Sequence, residues 1–520
     1  MNKKPFIHPY IPNSVPEVKK KMLAEIGVKD IEELYEDIPP ELRLKRDLNL
    51  PEPLLSELEL RRHMEAVLDQ NISCAERPSF LGAGCARHYV PAICDEIAHR
   101  SEFLTAYAGE PYEDAGRFQA LFEYESLMAE LLDFDVVNVP TYDWGQAAST
   151  AARMAGRITG RGKLLVSDTM SPDRLAVVRN YCHPVMSLEP VGHHKDTGLL
   201  DLSDLKAKLT KDTAAVYFEN PSYLGFIETQ GEAISSAAHA NGSLVIAGVD
   251  PISLGVLKPP GRYGADLACG DIQGLGNHMY YGGSLGGFIA TRDEEKFVME
   301  YPSRLFGIAR TSVEGEWGFG DVAYSRTSFD KREKGKEFIG TAAALYGIAA
   351  AVYLALMGPQ GMRELGIHIL QKARYAAMKL ADIPGATAPF AAGKRRIEQV
   401  RYSWEELTKE TGVDTHQFAL RMADFGFHLW SSHHPFLVPQ PFTIEPTESY
   451  SKEELDEYVD GLRHVAEEAR REPETVKNAP HRSVVHKIDE STFDDPAKWA
   501  ITWRAYRKKH GNPAAEGGTK

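Results

Sequence analysis

Residues 244–291 limit what this chain can fold into more than any other stretch. They open with an apolar run, Leu244-Val245-Ile246, which ends at Ala247-Gly248-Val249-Asp250. An unbroken apolar run reads as a strand covered on both faces, as in a parallel sheet. A second run, 265–269, leads to another carboxylate, Asp271. Acids at the carboxyl ends of such strands stand where open α/β sheets hold ligands. Asp250 also has a plainer reading, as the N-cap of a helix that begins Pro251-Ile252-Ser253. Gly274, Gly276, Gly282, Gly283, Gly286 and Gly287 follow and let backbone approach a ligand or another chain closely.

The surrounding pattern alternates in the same way. Strands are expected over 134–139, 163–166 and 214–219, the last ending at Asn220-Pro221. Helices are expected from the segment TYDWGQAASTAARMA, from 172–181 and from 232–240. This alternation means a mostly parallel sheet wrapped by helices, an α/β fold. Residues 1–70 read as an appended helical arm. A Ser14/Glu17 capping box precedes Val18, Met22 and Ile26. Asp30 caps a short helix, and Ser56 with Glu59 starts another that turns Leu60, Met64, Val67 and Leu68 inward. The large α/β domain then covers 71–340, with 294–335 as a polar connection. Linking helices over 341–356 and 361–380 occupy 341–385, broken by Gly358-Pro359. A smaller α+β domain spans 386–480. It has strands at 397–402 and 437–444, a helix over 415–425, and a helix capped by Ser451 and Glu454 whose inner face is Leu455, Val459, Leu462, Val465 and Ala469. A charged tail, 481–520, offers Trp499 and Trp503 as docking points.

A formal charge of −15 argues against a nucleic-acid partner, because phosphate binding needs clustered Lys and Arg. The five cysteines form no CxxC pair. They suit a reducing cytoplasm and neither a disulfide framework nor a zinc or other metal site. No secretory h-region opens the chain, and no run reaches the roughly 18 apolar residues of a membrane span, so no membrane is expected.

Two loops between 71 and 125 are dense in groups that catalysis uses. One places Gly82 and Gly84 before Arg87, His88, Tyr89 and Pro91. The other sets Tyr107, Glu110, Tyr112 and Glu113 around Gly109 and Pro111. Taken singly, each of these residues is an ordinary turn residue; taken together they favour a site. Arg326 and Arg332 belong to a basic run. They either hold an anion in bidentate fashion or form a solvated face.

The arrangement resembles the large fold of pyridoxal-phosphate-dependent transferases, the aspartate-aminotransferase-like fold type I. In that class an acid at a strand end holds the pyridine nitrogen, and a lysine in the following loop forms the Schiff base. The resemblance implies Asp250 as the acid, a phosphate on the amides near Gly145 and Gln146, and Asn220 and His278 as further cofactor contacts. The lysine is missing. No Lys lies between Asp271 and Thr291, and the loop reads Asn277-His278-Met279-Tyr280.

A closer resemblance rests on IPPELRLKRDLNLPEP (38–53), SFLGAG (79–84), HYVPAICDEI (88–97), SEFLTAY (101–107), GRFQALFEYESL (116–127), LSDLKAKLTKDTAAV (202–216), VDPISLGVLKPPGRYGAD (249–266) and AAAVYLALMGPQG (349–361). These runs are similar to the glycine dehydrogenase (decarboxylating) of the glycine cleavage system, the P-protein, in its two-subunit form. They resemble its subunit 1. The resemblance implies an α2β2 assembly with a lysine-bearing subunit 2 that carries the pyridoxal phosphate. It implies glycine decarboxylation and transfer of the aminomethyl group to the lipoyl arm of an H-protein-like carrier. Tyr107 and Glu110 would then be presented to the partner's site, with His88 and Arg326 as further catalytic candidates. The loop YAGEPYEDAG (107–116) departs from the family pattern, and IEPTESYSKEELDEYVDGL (444–462) with NAPH (478–481) resembles the C-terminus of subunit 2. Three other readings stay open. They are a divergent paralogue acting on another amino acid or amine, a scaffold for a catalytic partner, and a chain that binds the cofactor alone or through Lys258.

Overall fold

The computed structural model describes residues 7–46, 48–74, 76–80, 82, 84–103, 115–337, 343–390, 400–429 and 437–511. The chain divides into two compact units, Met1–Asn71 and Ile72–Lys520.

The first unit holds helices Pro16–Ile26 and Glu57–Leu68 with a 3-10 turn, Ile31–Tyr35, between them. Asp30 accepts from the Glu32 and Glu33 amides, and Ser56 from the Glu59 amide, so both expected caps form. The Ser14/Glu17 box does not. The Ser14 hydroxyl donates to the His8 carbonyl, and the helix starts after Val15 on Pro16, whose fixed φ suits that position. Val18, Met22, Ile26, Leu60, Met64, Val67 and Leu68 are exposed rather than inward. A short amphipathic helix buries its apolar stripe only against another element, and neither helix of this unit has a buried residue.

The second unit is built on a seven-stranded sheet. Its strands are β1 (Val136–Val137), β2 (Lys163–Ser167), β3 (Ser187–Val191), β4 (Thr213–Glu219), β5 (Leu244–Gly248), β6 (Leu267–Asp271) and β7 (Gly287–Thr291). They lie in the order β1-β7-β6-β5-β4-β2-β3. From β6 to β3 every pair is parallel, while β7 runs antiparallel to both β6 and β1. The apolar runs serve two cores because successive side chains point to opposite faces. Leu165, Val216, Val245 and Ala268 enter one core, and Leu164, Tyr217, Ile246 and Leu267 the other. The second core is closed by α1 (Trp144–Thr159) and α2 (Pro172–Cys182), where Ala147, Ala148, Ala151 and Ala152 allow close approach.

The two linking helices expected from the sequence form one element, α3 (Ala344–Leu380), kinked at Gly358. Gly358 has φ +59° and ψ −175°, a conformation open to glycine, and Pro359 follows inside the helix. By length and composition α3 could cross a bilayer. Here it lies against the sheet's first core through Ala349, Ala350, Tyr353, Leu354, Met362 and Leu365.

A third core gathers the C-terminal residues. Trp404 stacks between Phe418 and Phe442 at 4.4 and 4.7 Å. The helix α4 (Lys452–Arg471) has both halves of its Ser451/Glu454 capping box, and Leu455, Val459, Leu462, Val465 and Ala469 are buried as the 3.6-residue period requires. Phe80 stacks on Tyr450 and Tyr458, and the strand Ser79–Phe80 pairs with His428–Leu429. The chain just after Phe80 is thereby tied to the C-terminal layer. Several elements differ from the sequence reading. The strand at 134–139 shrinks to β1, and the polar connection 294–335 contains a hairpin, Phe306–Arg310 with Trp317–Asp321. Gly307, Gly318 and Gly320 and the exposed outer residues hide its alternation. The edge strand β3, interrupted by Pro190 and half polar, was equally invisible.

Candidate functional site

Strands β5 and β6 end side by side, so Asp250 and Asp271 face one pocket. Gly84, His88, Trp144, Arg174, Gln273 and Glu445 share it. Asp250 caps the 3-10 turn Pro251–Gly255, accepting from the Ile252 and Ser253 amides, as its plainer reading required. His88 comes from the segment anchored by Phe80. Its Nδ1 donates to Glu448 at 2.9 Å, and the Tyr89 amide reaches the other oxygen of that carboxylate at 2.7 Å. Burial disfavours charge on His88, but Glu448, helped by Asp250 and Glu445, outweighs burial and raises the imidazole above its ordinary value.

Arg174, on the first turn of α2, fills the middle of the site. Its guanidinium lies 3.6 Å over the Trp144 ring and donates to Glu219 at 3.1 Å. The Trp144 indole donates to the Tyr217 hydroxyl, which donates to the same Glu219 oxygen, each at 3.1 Å. The Glu219 side chain is 2 % exposed and its other oxygen has no hydrogen-bond partner among the described residues, so Arg174 is its main compensation.

Burial raises the Asp271 carboxyl from 3.8 to about 7, against the pull of Arg174 and the Gln273 amide; Asp250 and Asp143 push the same way as burial. The folded state therefore holds the Asp271 proton more tightly than the unfolded chain. The stability from this group is complete below pH 3.8 and is lost as pH rises through about 7. Asp271→Asn removes the titration, and its stability gain over the parent should grow by about 1 kcal/mol between pH 5.5 and 8.5, after allowance for partial solvent screening. Urea midpoints at the two pH values check this. A gain independent of pH would show that Asp271 ionises freely.

The site does not fit pyridoxal phosphate bound by this chain. Among the described residues no lysine lines it, and its free volume is about 40 Å³, room for a few waters. The amide expected to take the phosphate is already used, because Asp143 caps α1 and its carboxylate accepts from the Gln146 N–H at 2.8 Å. A phosphate there would meet that carboxylate. Asn220 sits at the end of β4 in a cis Asn220-Pro221 peptide and accepts from the Glu228 amide, which makes it a turn residue beside the site. His278 is exposed and pairs with Asp95 at 3.0 Å, outside this pocket. Arg326 lies elsewhere, 4 % exposed, donating to the Tyr301 and Ser303 carbonyls. Lys258 pairs with Glu232 on the surface and does not line the pocket. Tyr107 and Glu110 lie outside the described residues. Trp144, Arg174, Glu219, Glu445 and Glu448, which build the site, were not singled out from sequence. Asp271 was noticed as a strand-end acid only.

Two family models cover most of the chain. Residues 8–392 match the glycine cleavage system P-protein, and residues 392–487 match the glycine dehydrogenase C-terminal domain. A probable glycine dehydrogenase (decarboxylating) subunit 1 from Staphylothermus marinus is 43 % identical over 385 residues, 72 % of this chain and 81 % of that protein. Its counterpart in Aeropyrum pernix is 41 % identical over 398 residues, 74 % of this chain and 85 % of that protein. Among solved structures, an inhibitor-bound glycine decarboxylase (P-protein) of the glycine cleavage system superposes with a TM-score of 0.78 at 33 % identity, covering 88 % of this chain and 99 % of that one. A sphingosine-1-phosphate lyase from Burkholderia pseudomallei shares the fold alone, with a TM-score of 0.56 at 14 % identity, covering 83 % of this chain and 94 % of that one. The architecture is thus the pyridoxal-phosphate-dependent transferase large fold, fold type I.

Proposed function

The chain belongs to the glycine cleavage system P-protein family, and from that membership we propose that it is the lysine-lacking subunit of a cytoplasmic pyridoxal-phosphate-dependent glycine decarboxylase. In this proposal a lysine-bearing subunit 2 holds the cofactor in an α2β2 assembly. Glycine loses its carboxyl group as CO2, and its aminomethyl group passes to the lipoyl arm of an H-protein-like carrier. Pyridoxal phosphate supplies the electron sink for that carbon–carbon cleavage. This chain completes the partner's site and does not run the reaction itself. Tyr107 and Glu110 are the groups assigned to that completion.

One observation carries the reading. Arg174 lies on Trp144 and is paired to Glu219 in the pocket at the strand ends, and among the described residues no lysine lines it. A seat built around a buried ion pair is a structural element, so the chemistry is assigned to a second polypeptide.

The test is reconstitution. The purified chain, incubated with pyridoxal phosphate, is expected to show no aldimine absorbance and no borohydride-trapped pyridoxyl-lysine. Radiolabelled CO2 is expected from carboxyl-labelled glycine only when subunit 2 and a lipoylated carrier are added. Turnover by the chain alone, or a reduced cofactor on one of its own lysines, would sink the proposal. In the reconstituted complex, Tyr107→Ala or Glu110→Ala should lower the rate by about 10²-fold or more; an unchanged rate removes those two residues. Release of CO2 from a different amino acid, with glycine inert, selects the divergent-paralogue reading, which the departure at 107–116 favours.

A further inference from the structure

The family matches end at residue 487. The chain beyond is tied down as far as Glu490. Asp424 accepts from the His481 and Arg482 amides, each at 2.7 Å, Lys487 donates to the Lys477 carbonyl at 2.6 Å, and His416 meets Glu490 at 3.0 Å. After that the tail folds on itself. The Trp499 indole donates to the Thr492 carbonyl at 2.9 Å, and its ring packs edge-on against Phe493. A helix, Trp503–His510, follows. Thr502 caps it, and Lys509 donates to the Pro496 and Trp499 carbonyls. Of the two tryptophans that the sequence marks for docking, Trp499 is used within the tail, while Trp503 is 60 % exposed.

This helix is unfinished. Eight residues are too few for a helix to persist in water without a surface to pack on, and none of them is buried. No hydrogen bond, ion pair or ring contact among the described residues joins it to any residue before Pro496. Trp503, Tyr506 and His510, at i, i+3 and i+7, form one stripe, with Trp503 stacked on Tyr506 at 5.2 Å and Tyr506 against His510 at 4.7 Å. Arg504, Arg507 and Lys508 flank the stripe, and none of them has a carboxylate partner among the described residues. Trp, Tyr and Arg are the residue types that carry most of the energy of protein interfaces. Residues 498–511 hold five Lys or Arg and no Asp or Glu, in a chain of formal charge −15. The rest of the chain is thus more acidic still, and a second copy offers the tail a surface of opposite sign. Repulsion between two acidic bodies fades over about 8 Å in physiological salt, so charges in contact decide the outcome.

Size favours an exchange of two tails over a single contact. Ile501, 87 % exposed, Trp503, Tyr506 and the cations would cover on the order of 500 Å² per tail. One such contact, counted with the surface it covers, falls short of a stable interface; two reach roughly 2,000 Å², which suffices. We propose that the helix Trp503–His510 docks on the acidic body of a second copy of this chain, and that two copies exchange their tails symmetrically. Trp503 and Tyr506 are the anchors, and Arg504, Arg507 and Lys508 pair with carboxylates of the other copy. The contact needs neither the partner subunit nor pyridoxal phosphate, so its failure leaves the proposed subunit role untouched.

Sedimentation of the purified full chain, without cofactor or partner subunit, tests it. At about 0.15 M salt the chain should form dimers with a dissociation constant of about 10 μM or tighter, weakened severalfold at about 1 M. Trp503→Ala with Tyr506→Ala should weaken the dimer about 10-fold or more. Arg504→Glu with Lys508→Glu should weaken it as far and abolish its salt sensitivity. Lys206→Glu with Lys211→Glu adds the same charge at exposed positions outside the tail and should change it less than about 3-fold. All three pairs should keep the parent's melting temperature, because none of these residues is buried. A chain that stays monomeric at about 100 μM overturns the proposal, as does a dimer indifferent to both tail pairs or weakened equally by the Lys206 and Lys211 pair. Association of the parent with anionic vesicles or single-stranded RNA, tighter than the dimer and lost in the tail pairs, overturns the second copy as the occupant.

Discussion

Replacing Arg174 by Met is expected to destabilise the fold by about 3–5 kcal/mol at pH 7, the range for removing one partner of a buried ion pair. Methionine keeps most of the side-chain volume over Trp144, so the loss is not chiefly one of packing. It comes from Glu219, whose side chain is 2 % exposed and whose second oxygen has no hydrogen-bond partner among the described residues. Without Arg174 the remaining donor to that carboxylate among the described residues is the Tyr217 hydroxyl, a neutral group. Arg174→Met combined with Glu219→Gln removes the stranded charge and should recover at least half of the stability. Urea midpoints of the parent, the two single variants and the double variant measure the cycle. If the double variant is no better than Arg174→Met alone, Glu219 was never the cost, and Arg174 acts through packing on Trp144.

The same cluster shows what sequence could and could not reveal. Both acids at the head of the site were legible. Asp250 and Asp271 follow apolar runs long enough to be read as doubly covered strands, and Pro251-Ile252-Ser253 announced the cap that Asp250 makes. The helix α4 was legible for a similar reason, since a local capping box and a local period fix its inner face. The site's other members are long-range pairs with no local trace. Arg174 meets Glu219 across 45 residues, and His88 meets Glu448 across 360. Nothing within a turn of either residue marks it. The amide at Gln146 is hard to read for the opposite reason, because the deciding neighbour is close. Asp143 stands one turn before Gln146 and takes its N–H. A strand-to-helix junction then looked like an anion cradle when its cap was an anion. The apolar faces of the first unit, exposed in this structure, show the same limit, since periodicity finds a face and says nothing of what covers it.

Gly270→Ala is expected to cost more than about 4 kcal/mol, beyond the usual range for one added methyl. Gly270 lies on β6 between β5 and β7, opposite Phe288 in the ladder. A Cβ there would stand 2.1 Å from the Val249 carbonyl oxygen and 2.6 and 2.8 Å from two atoms of the Phe288 ring. The ring is fully buried and the carbonyl is backbone, so neither can swing aside. The neighbouring strands would have to part. Because Val249 precedes Asp250 and Gly270 precedes Asp271, that movement would also separate the two acids that head the site. Gly116→Ala is the control. It lies in the helix Ala115–Leu132 with no atom of the described residues within 4 Å of its added Cβ, and alanine there should be neutral or stabilise by up to about 1 kcal/mol. Soluble yield, near-ultraviolet circular dichroism and melting temperature compare the two. Wild-type values for Gly270→Ala would mean that β5 and β7 yield to a methyl group, and that the close approach of these strands does not hold the site together.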